Sequence, residues 1–503
     1  MGLGTSSLAR SLRAGARLIV APLVVGLCVL GGLSIMLFSS LPGASGEAQA
    51  VGRGVTDYRL EQTIVQGSVP AMVQEIGPER LGAKWTRLLV HWNALQPTDG
   101  PYSPTVNDAN ADGYANWYVA QLDGMVEQLH AVGVSVILTP TEVPKWASDR
   151  SLWGTLPGAG RGYKSFYAMN VRSAHVLSQF KALGRFLASR YDGEVRHFEV
   201  WNEPNLGGYL YPQNLRKAPL VGARTYLKML RSYSQGVHAG AHGALVIAGA
   251  TAPRGTGNAH STAPQRFARY LKDHKAASLF DAYSHHPYTP GGTRQIAPSG
   301  KPNNPQRAVI LSNLSQITKL FRSKPFYLTE YGYNTHHCKW FGVSVPQATQ
   351  ARYLRQAYSY VAGRYRQVKA LLWYQVDDWA PHGYDGAGVY TGLRTDVGQR
   401  KLGWYAFAGH NKLTLVTAPG HARSRATFTL SGALTYRAPD PPVSQRLMLQ
   451  ARRSSKYPWA KVVTALTQPD GSYSFSVKQI RTKIYRVVWD GVSESAARTV
   501  RTP

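Results

Sequence analysis

From about residue 51 to residue 410 the chain alternates between two hydrophobic periodicities, and that alternation leaves few folds open. Val119, Leu122, Met125, Val126 and Leu129 recur at helical spacing, Gly133 follows, and Val134-Ser135-Val136-Ile137-Leu138 then reads as a strand. The rhythm repeats. A helix through Val176, Phe180, Leu183 and Leu187 precedes the apolar run 196–200, and one through Tyr226, Met229, Leu230 and Tyr233 precedes the run 245–248. Further strands are expected at 86–90, 280–284, 327–328 and 370–374, with the first of the series around 62–66. Helices alternating with strands imply a parallel sheet. The segment's length suits a closed (β/α)8 TIM barrel of about 250 residues with long loops. The competing arrangement is an open doubly wound sheet, but no Gly-rich phosphate loop follows an early strand.

Near Val416 the pattern changes. Runs at 425–430, 447–452, 460–465, 472–477 and 485–489 read as short strands, and Pro469-Asp470-Gly471 marks a turn. Their spacing predicts a small all-β sandwich of about 90 residues. The expected organisation is therefore a leader at 1–50, a barrel at 51–410 and a sandwich at 411–503.

The leader has its own logic. Arg10, Arg13 and Arg17 precede an apolar run from Leu18 to Phe38, and small residues ending in Ala48-Gln49-Ala50 follow. That order is the pattern of a signal peptide, although the run approaches the roughly 20 residues that span a bilayer. The reading is a protein secreted to the extracellular side, or one anchored through residues 18–38 and facing outward. Of the two cysteines, Cys28 lies inside this run, so Cys338 has no partner in the exported part. A net charge of +30 would draw the protein to anionic surfaces such as acidic or envelope glycans. Nucleic acid is not expected as a partner, because no compact basic run interleaved with aromatics and no recognised module is present.

Two glutamates stand at the ends of predicted strands, in Trp201-Asn202-Glu203-Pro204 and Thr329-Glu330-Tyr331-Gly332. Cleaving a glycosidic bond takes one protonated and one ionised carboxyl group on opposite faces of a sugar. Two parallel strands delivering glutamates to one barrel mouth would meet that need. Taken alone, the first motif could equally be a helix start with Glu203 as its N-terminal cap.

The barrel segment, from about Arg87 to Phe407, resembles clan A glycoside hydrolases, the retaining (β/α)8 enzymes that include families 5 and 39. The resemblance implies Glu203 as acid/base after the fourth strand, and Glu330 as nucleophile after the seventh. It implies that Asn202 meets the sugar 2-hydroxyl, that Arg87 at the end of the second strand supports the nucleophile, and that His286 and Tyr288 flank it. Trp373 would lie beneath the bound sugar. The segment Gly392-Leu393 through Asp396-Val397-Gly398 to Lys401 looks like the clan's final turn and helix. The stretch 447–489, with Trp459 and Asp470-Gly471-Ser472-Tyr473, looks like bacterial immunoglobulin-like repeats, which act as spacers or adhesive modules.

The mechanism so implied is double displacement, with the carboxyl groups about 5–5.5 Å apart and no cofactor or metal. Tyr102, Tyr114, Trp146, Trp153, Tyr163, Tyr167, Tyr209 and Tyr211 lie in long connections, where they could stack on sugar rings or hold the loops down. A transglycosidase, or a barrel that only binds envelope glycans, would carry much the same motifs.

Overall fold

The computed structural model describes residues 50–60, 72–100, 112–155, 167–289, 296–337, 343–380, 388–409, 411–436 and 444–503. The leader, Tyr102, Tyr163 and Cys338 lie outside them. Among the described residues no helix is long and apolar enough to cross a membrane.

Eight parallel strands close into a barrel in sequence order. They are β1 (Gly52–Thr56), β2 (Trp85–His91), β3 (Ser135–Thr141), β4 (His197–Glu199), β5 (Leu245–Thr251), β6 (Ala282–His285), β7 (Phe326–Tyr331) and β8 (Val368–Tyr374). Closure is made by β1 on β8, with Val55 opposite Trp373. Among the described residues, six helices of seven or more residues accompany the strands: α1 (Asn116–Ala131), α2 (Ala174–Arg190), α3 (Val221–Gly240), α4 (Pro264–Asp273), α5 (Gln347–Arg364) and α6 (Leu402–Ala408). Their apolar stripes face the sheet. Val119, Leu122, Met125, Val126 and Leu129 of α1 are all buried, as helical spacing predicts. Ser173 caps α2 by accepting a hydrogen bond from the Val176 amide.

The first strand is the one element of the barrel that sequence reading misplaced. It lies at 52–56; residues 62–66 lie outside the described set. Gly52-Arg53-Gly54 contains few strand-forming residues, which hid it. The glycines are there because Trp85 fills the barrel floor. A Cβ on Gly54 would come within 2.7 Å of both Trp85 and Leu372. Trp85 in turn packs edge-on against His197 and Tyr327, with ring centroids 4.8 and 5.5 Å away.

Alternation along each strand sorts side chains between the barrel interior and the helix layer. Ile137, Ile247, Ala282, Tyr327, Ala370 and Leu372 form an apolar cluster inside the barrel. Two residues past Trp85, Ile137, His197 and Tyr327, the inward positions become polar: Arg87, Thr139, Glu199 and Thr329, all buried. The barrel is thus dry at its floor and polar toward the mouth.

Antiparallel strands follow: β9 (Asn411–Thr417), β10 (Thr427–Tyr436), β11 (Arg446–Arg452), β12 (Ala460–Leu466), β13 (Ser472–Lys478), β14 (Lys483–Trp489), β15 (Ser493–Glu494) and β16 (Arg498–Val500). One sheet runs β13-β10-β9, the other β12-β11-β14-β15 with β16 on β14. Leu447, Leu449, Tyr473, Phe475, Tyr485 and Val487 alternate into the interior. That interior is continuous with the barrel's outer core. Tyr405 of α6 packs on Trp489 and Tyr436 at 4.9 and 5.4 Å between ring centroids. Gly491 lies so near α5 that a Cβ there would sit 2.1 Å from the Ala348 carbonyl oxygen. Residues 48–503 form one compact unit.

Candidate active site

The polar layer is organised by Arg87. It lies in the middle of β2, opposite Ile137 of β3, and not at the strand's end as the sequence suggested. Mid-strand placement buries its guanidinium completely. A buried cation needs partners on every donor. Arg87 Nε bonds Glu199 Oε2 at 2.6 Å, Nη1 bonds Glu330 Oε1 at 2.7 Å and Nη2 bonds Asn202 Oδ1 at 2.7 Å. Glu199 also accepts from Thr139 Oγ1 at 3.0 Å and Thr329 Oγ1 at 2.9 Å. One arginine therefore ties β2 to β4, β7 and the loop after β4.

That loop carries Glu203 in a costly backbone conformation. Trp201 has φ 69° and Glu203 φ 38°, the left-handed region that side chains other than glycine rarely occupy. Surrounding bonds over-determine it. Trp201 Nε1 donates to the Tyr209 carbonyl at 2.8 Å, and Gln213 Nε2 donates to the Pro204 carbonyl at 2.7 Å. Buried Asn205 accepts from the Ala252 amide at 2.7 Å and donates to the Thr262 carbonyl at 2.9 Å. No helix starts at Glu203; the next one begins at Val221, so the helix-cap reading does not apply.

Glu330 stands near the end of β7. Arg87 holds one of its oxygens and the Tyr288 hydroxyl donates to the other at 3.1 Å. His286 stands nearer Glu203: its Nδ1 is 3.0 Å from Glu203 Oε1 and 3.7 Å from Glu330 Oε2. Its neighbour His285 faces away, between Thr251 Oγ1 and the Val309 carbonyl. Donor atoms of Glu203, His286 and Glu330 all lie within 4.8 Å of one another. Three such groups could suggest a cation site. Arg87, already bound to Glu330, supplies the positive charge there, and His286 Nδ1 is engaged by Glu203, so the set does not fit a metal.

Trp373 does not meet the mouth. It is fully buried, donates Nε1 to the Thr391 carbonyl at 2.8 Å and packs edge-on against Tyr331 at 6.0 Å. Inward positions of β8 are Ala370, Leu372 and hence Tyr374, so Trp373 points into the helix layer. Tyr374, two residues beyond Leu372 on the inward face, is close enough to Tyr288 to raise its pKa.

Among the loop aromatics, Tyr209 feels both Glu203 and Glu330. Tyr114 stacks on Phe186 at 4.0 Å, Trp146 packs edge-on against Trp92 at 5.6 Å, and Tyr211 stacks on His260 at 6.3 Å. Trp153 donates to Ser148 Oγ at 2.8 Å, and the Tyr167 carbonyl accepts from the Tyr211 amide at 2.8 Å. Most of these residues hold loops down. Past β8, Lys401 reaches both oxygens of Asp378 at 2.9 and 3.0 Å, and Asp378 accepts from the Gly392 amide at 2.8 Å. That fixes the 392–401 turn before α6.

Electrostatics separate the two glutamates. Burial pushes Glu203 well above the ordinary carboxylate range, and the charge of Glu330 adds to the rise. Burial also raises Glu330, but Arg87 and the Tyr288 hydroxyl pull it back. Burial, then Arg87 and His285, hold His286 well below its usual pKa, so its imidazole is neutral. Of the two, Glu203 is raised the more, so a proton held by the pair is favoured on Glu203.

No protein-family model matches the chain, and no curated protein does. Solved structures do. A family 39 glycoside hydrolase from the gut symbiont Bacteroides cellulosilyticus WH2 is 16% identical, with 88% of this chain and 81% of that one covered and a TM-score of 0.47. A family 39 enzyme from Xanthomonas axonopodis pv. citri is 16% identical over 85% and 91% of the two chains, with a TM-score of 0.45. A β-glucosidase from Pyrococcus furiosus is 13% identical over 72% and 94%, with a TM-score of 0.47.

Proposed function

We propose that this protein is a retaining glycoside hydrolase acting on an extracellular oligo- or polysaccharide. The observation that carries the reading is the pair Glu203 and Glu330. An oxygen of each lies within 4.8 Å of an oxygen of the other across one barrel mouth, and their surroundings set one as acid and the other as anion. A spacing this short suits direct attack by one carboxylate; an inverting pair needs room for a water between them.

In the first step a Glu330 oxygen forms a bond to the anomeric carbon while the bond to the leaving oxygen breaks and Glu203 gives that oxygen its proton. In the second, Glu203 takes a proton from water as the water oxygen displaces Glu330, which restores both groups. Arg87 keeps Glu330 anionic and holds the Asn202 carbonyl, which turns the Asn202 amide nitrogen away from Arg87 and leaves it to donate to a sugar hydroxyl. Tyr288 gives up its hydrogen bond to Glu330 as charge leaves that oxygen.

The finer parts of the reading belong together: a leader that exports the chain, an anionic or envelope glycan drawn by the basic surface, and immunoglobulin-like sheets as a spacer. Intact-mass spectrometry after exposure to a panel of 2-fluoro glycosides tests the chemistry. A mass gain mapped to the peptide holding Glu330 supports it, and hydrolysis that gives the inverted anomer would refute it.

Glu203→Gln should reduce turnover of glycosides with poor leaving groups by about 10²–10⁴-fold, the usual contribution of a general acid/base. Activated aryl glycosides should lose less in the first step, and azide should restore turnover as a glycosyl azide. The pH profile should be a bell. Glu330 must be ionised, so activity falls as pH drops through its pKa; Glu203 must be protonated, so activity falls as pH rises through its higher one.

A further inference from the structure

Glu199 is an ionisable group at the site that the two-carboxylate mechanism does not use. It is fully buried, and both its oxygens are taken by Arg87, Thr139 and Thr329. Arg87 has only donors, so Glu199 accepts. Thr329 has one hydroxyl proton, and it goes to Glu199 Oε1 at 2.9 Å. The same hydroxyl oxygen lies 3.1 Å from His286 Nε2. A hydroxyl that has already given its proton can only accept at that contact, so Nε2 must carry the hydrogen. A neutral imidazole has one such hydrogen, which leaves Nδ1 bare, 3.0 Å from Glu203 Oε1. Opposite a bare nitrogen only a protonated carboxyl fits.

We propose that Glu199, which is sealed from substrate, is a positioning residue that sets the direction of the hydrogen bonds through Thr329 and His286 and so holds the proton on Glu203. No bond to hydrogen forms or breaks within this chain of groups; it fixes orientation. When Glu203 has given its proton to a leaving group, its anion faces the lone pair of Nδ1, which favours prompt recovery of a proton from the incoming water. Other charges on the pair act alongside it: Glu330 and Arg87 face Glu203, Tyr209 and Tyr288 lie beside it, and His285 and Arg87 act on His286.

The catalytic meaning rests on the glycosidase reading, but the direction of the bonds does not, and the test separates them. In full-length protein labelled with 15N-histidine, the His286 signals are identified by their loss in His286→Gln. Wild type and Thr329→Ser should show hydrogen on Nε2 and a bare Nδ1, whereas Thr329→Val should lose that preference. With the 4-nitrophenyl glycoside cleaved best in a panel, the basic limb of the pH profile in Thr329→Val should move down by about one pH unit, the effect of one lost hydrogen bond. Thr329→Ser should keep the wild-type limb. Hydrogen on Nδ1 in the wild type, or an unchanged tautomer in Thr329→Val, would overturn the proposal. If no glycoside is turned over, the tautomer alone decides it and the glycosidase reading fails separately.

Discussion

Glu330→Gln should abolish turnover of every glycoside the protein cleaves, by a factor on the order of 10⁶, as loss of a covalent nucleophile does in enzymes whose groups act as a unit. The amide still fits between Arg87 and Tyr288, so the variant should melt like the wild type. What it lacks is an oxygen nucleophilic enough to bond the anomeric carbon. Its mass should not change with any 2-fluoro glycoside that labels the wild type. Steady-state kinetics and intact mass together read the result. A loss of only tenfold, with the adduct retained, would move the nucleophile elsewhere and sink the double-displacement assignment.

The second large effect concerns stability. Arg87→Met should destabilise the fold by about 3–5 kcal/mol, the cost of leaving a buried carboxylate without its cation. Arg87 and Glu199 are both wholly enclosed, with their nearest atoms 2.6 Å apart, so solvent cannot step in. The single change strips Glu199 of its strongest partner and frees Asn202 and Glu330 at once. Urea denaturation should show the loss as a lower midpoint with an unchanged slope. Adding Glu199→Gln to the variant should recover part of it, because the orphaned charge is gone. Equal stability in the double and single variants would mean that the ion pair is not the source.

How much of this was legible in the sequence follows from what each residue faces. Seven barrel strands announced themselves because their outward residues pack on helices and are apolar, as with Leu88 and Val90 on β2. The eighth, β1, did not, because its inward positions are emptied to glycine for Trp85. Strand β9 was also missed: the sandwich was expected from residue 411, but its first strand was placed at 425–430, whereas pairing already begins at Asn411. At the site, Glu203, Glu330, Asn202, Tyr288 and His286 came from local motifs, and the structure brings all five to one mouth. Arg87 was found but placed at the wrong height on its strand. Trp373 was expected at the mouth but faces the helix layer, because one-residue register decides which face a strand residue occupies, and the apolar run 370–374 offered no polar alternation to fix it. Glu199 lay in plain view four residues before Glu203. Its importance depends on Thr139 and Thr329, which lie far from it in the chain, and no spacing rule connects them.

The aromatic seam of Tyr405, Tyr436 and Trp489 has a consequence for how the molecule comes apart. A tethered appendage melts on its own and leaves its neighbour standing. Here the barrel's last helix finds part of its cover on the sheets, and α5 lies against the turn at Gly491. Heating should therefore give one calorimetric transition, with van't Hoff and calorimetric enthalpies in agreement, where two independent melts would be expected of beads on a string. Cutting the chain after Gly409 would leave Tyr405 in water and lower the melting temperature of the remaining barrel. The sheets act on the barrel as a keystone, covering its last helix and bracing α5.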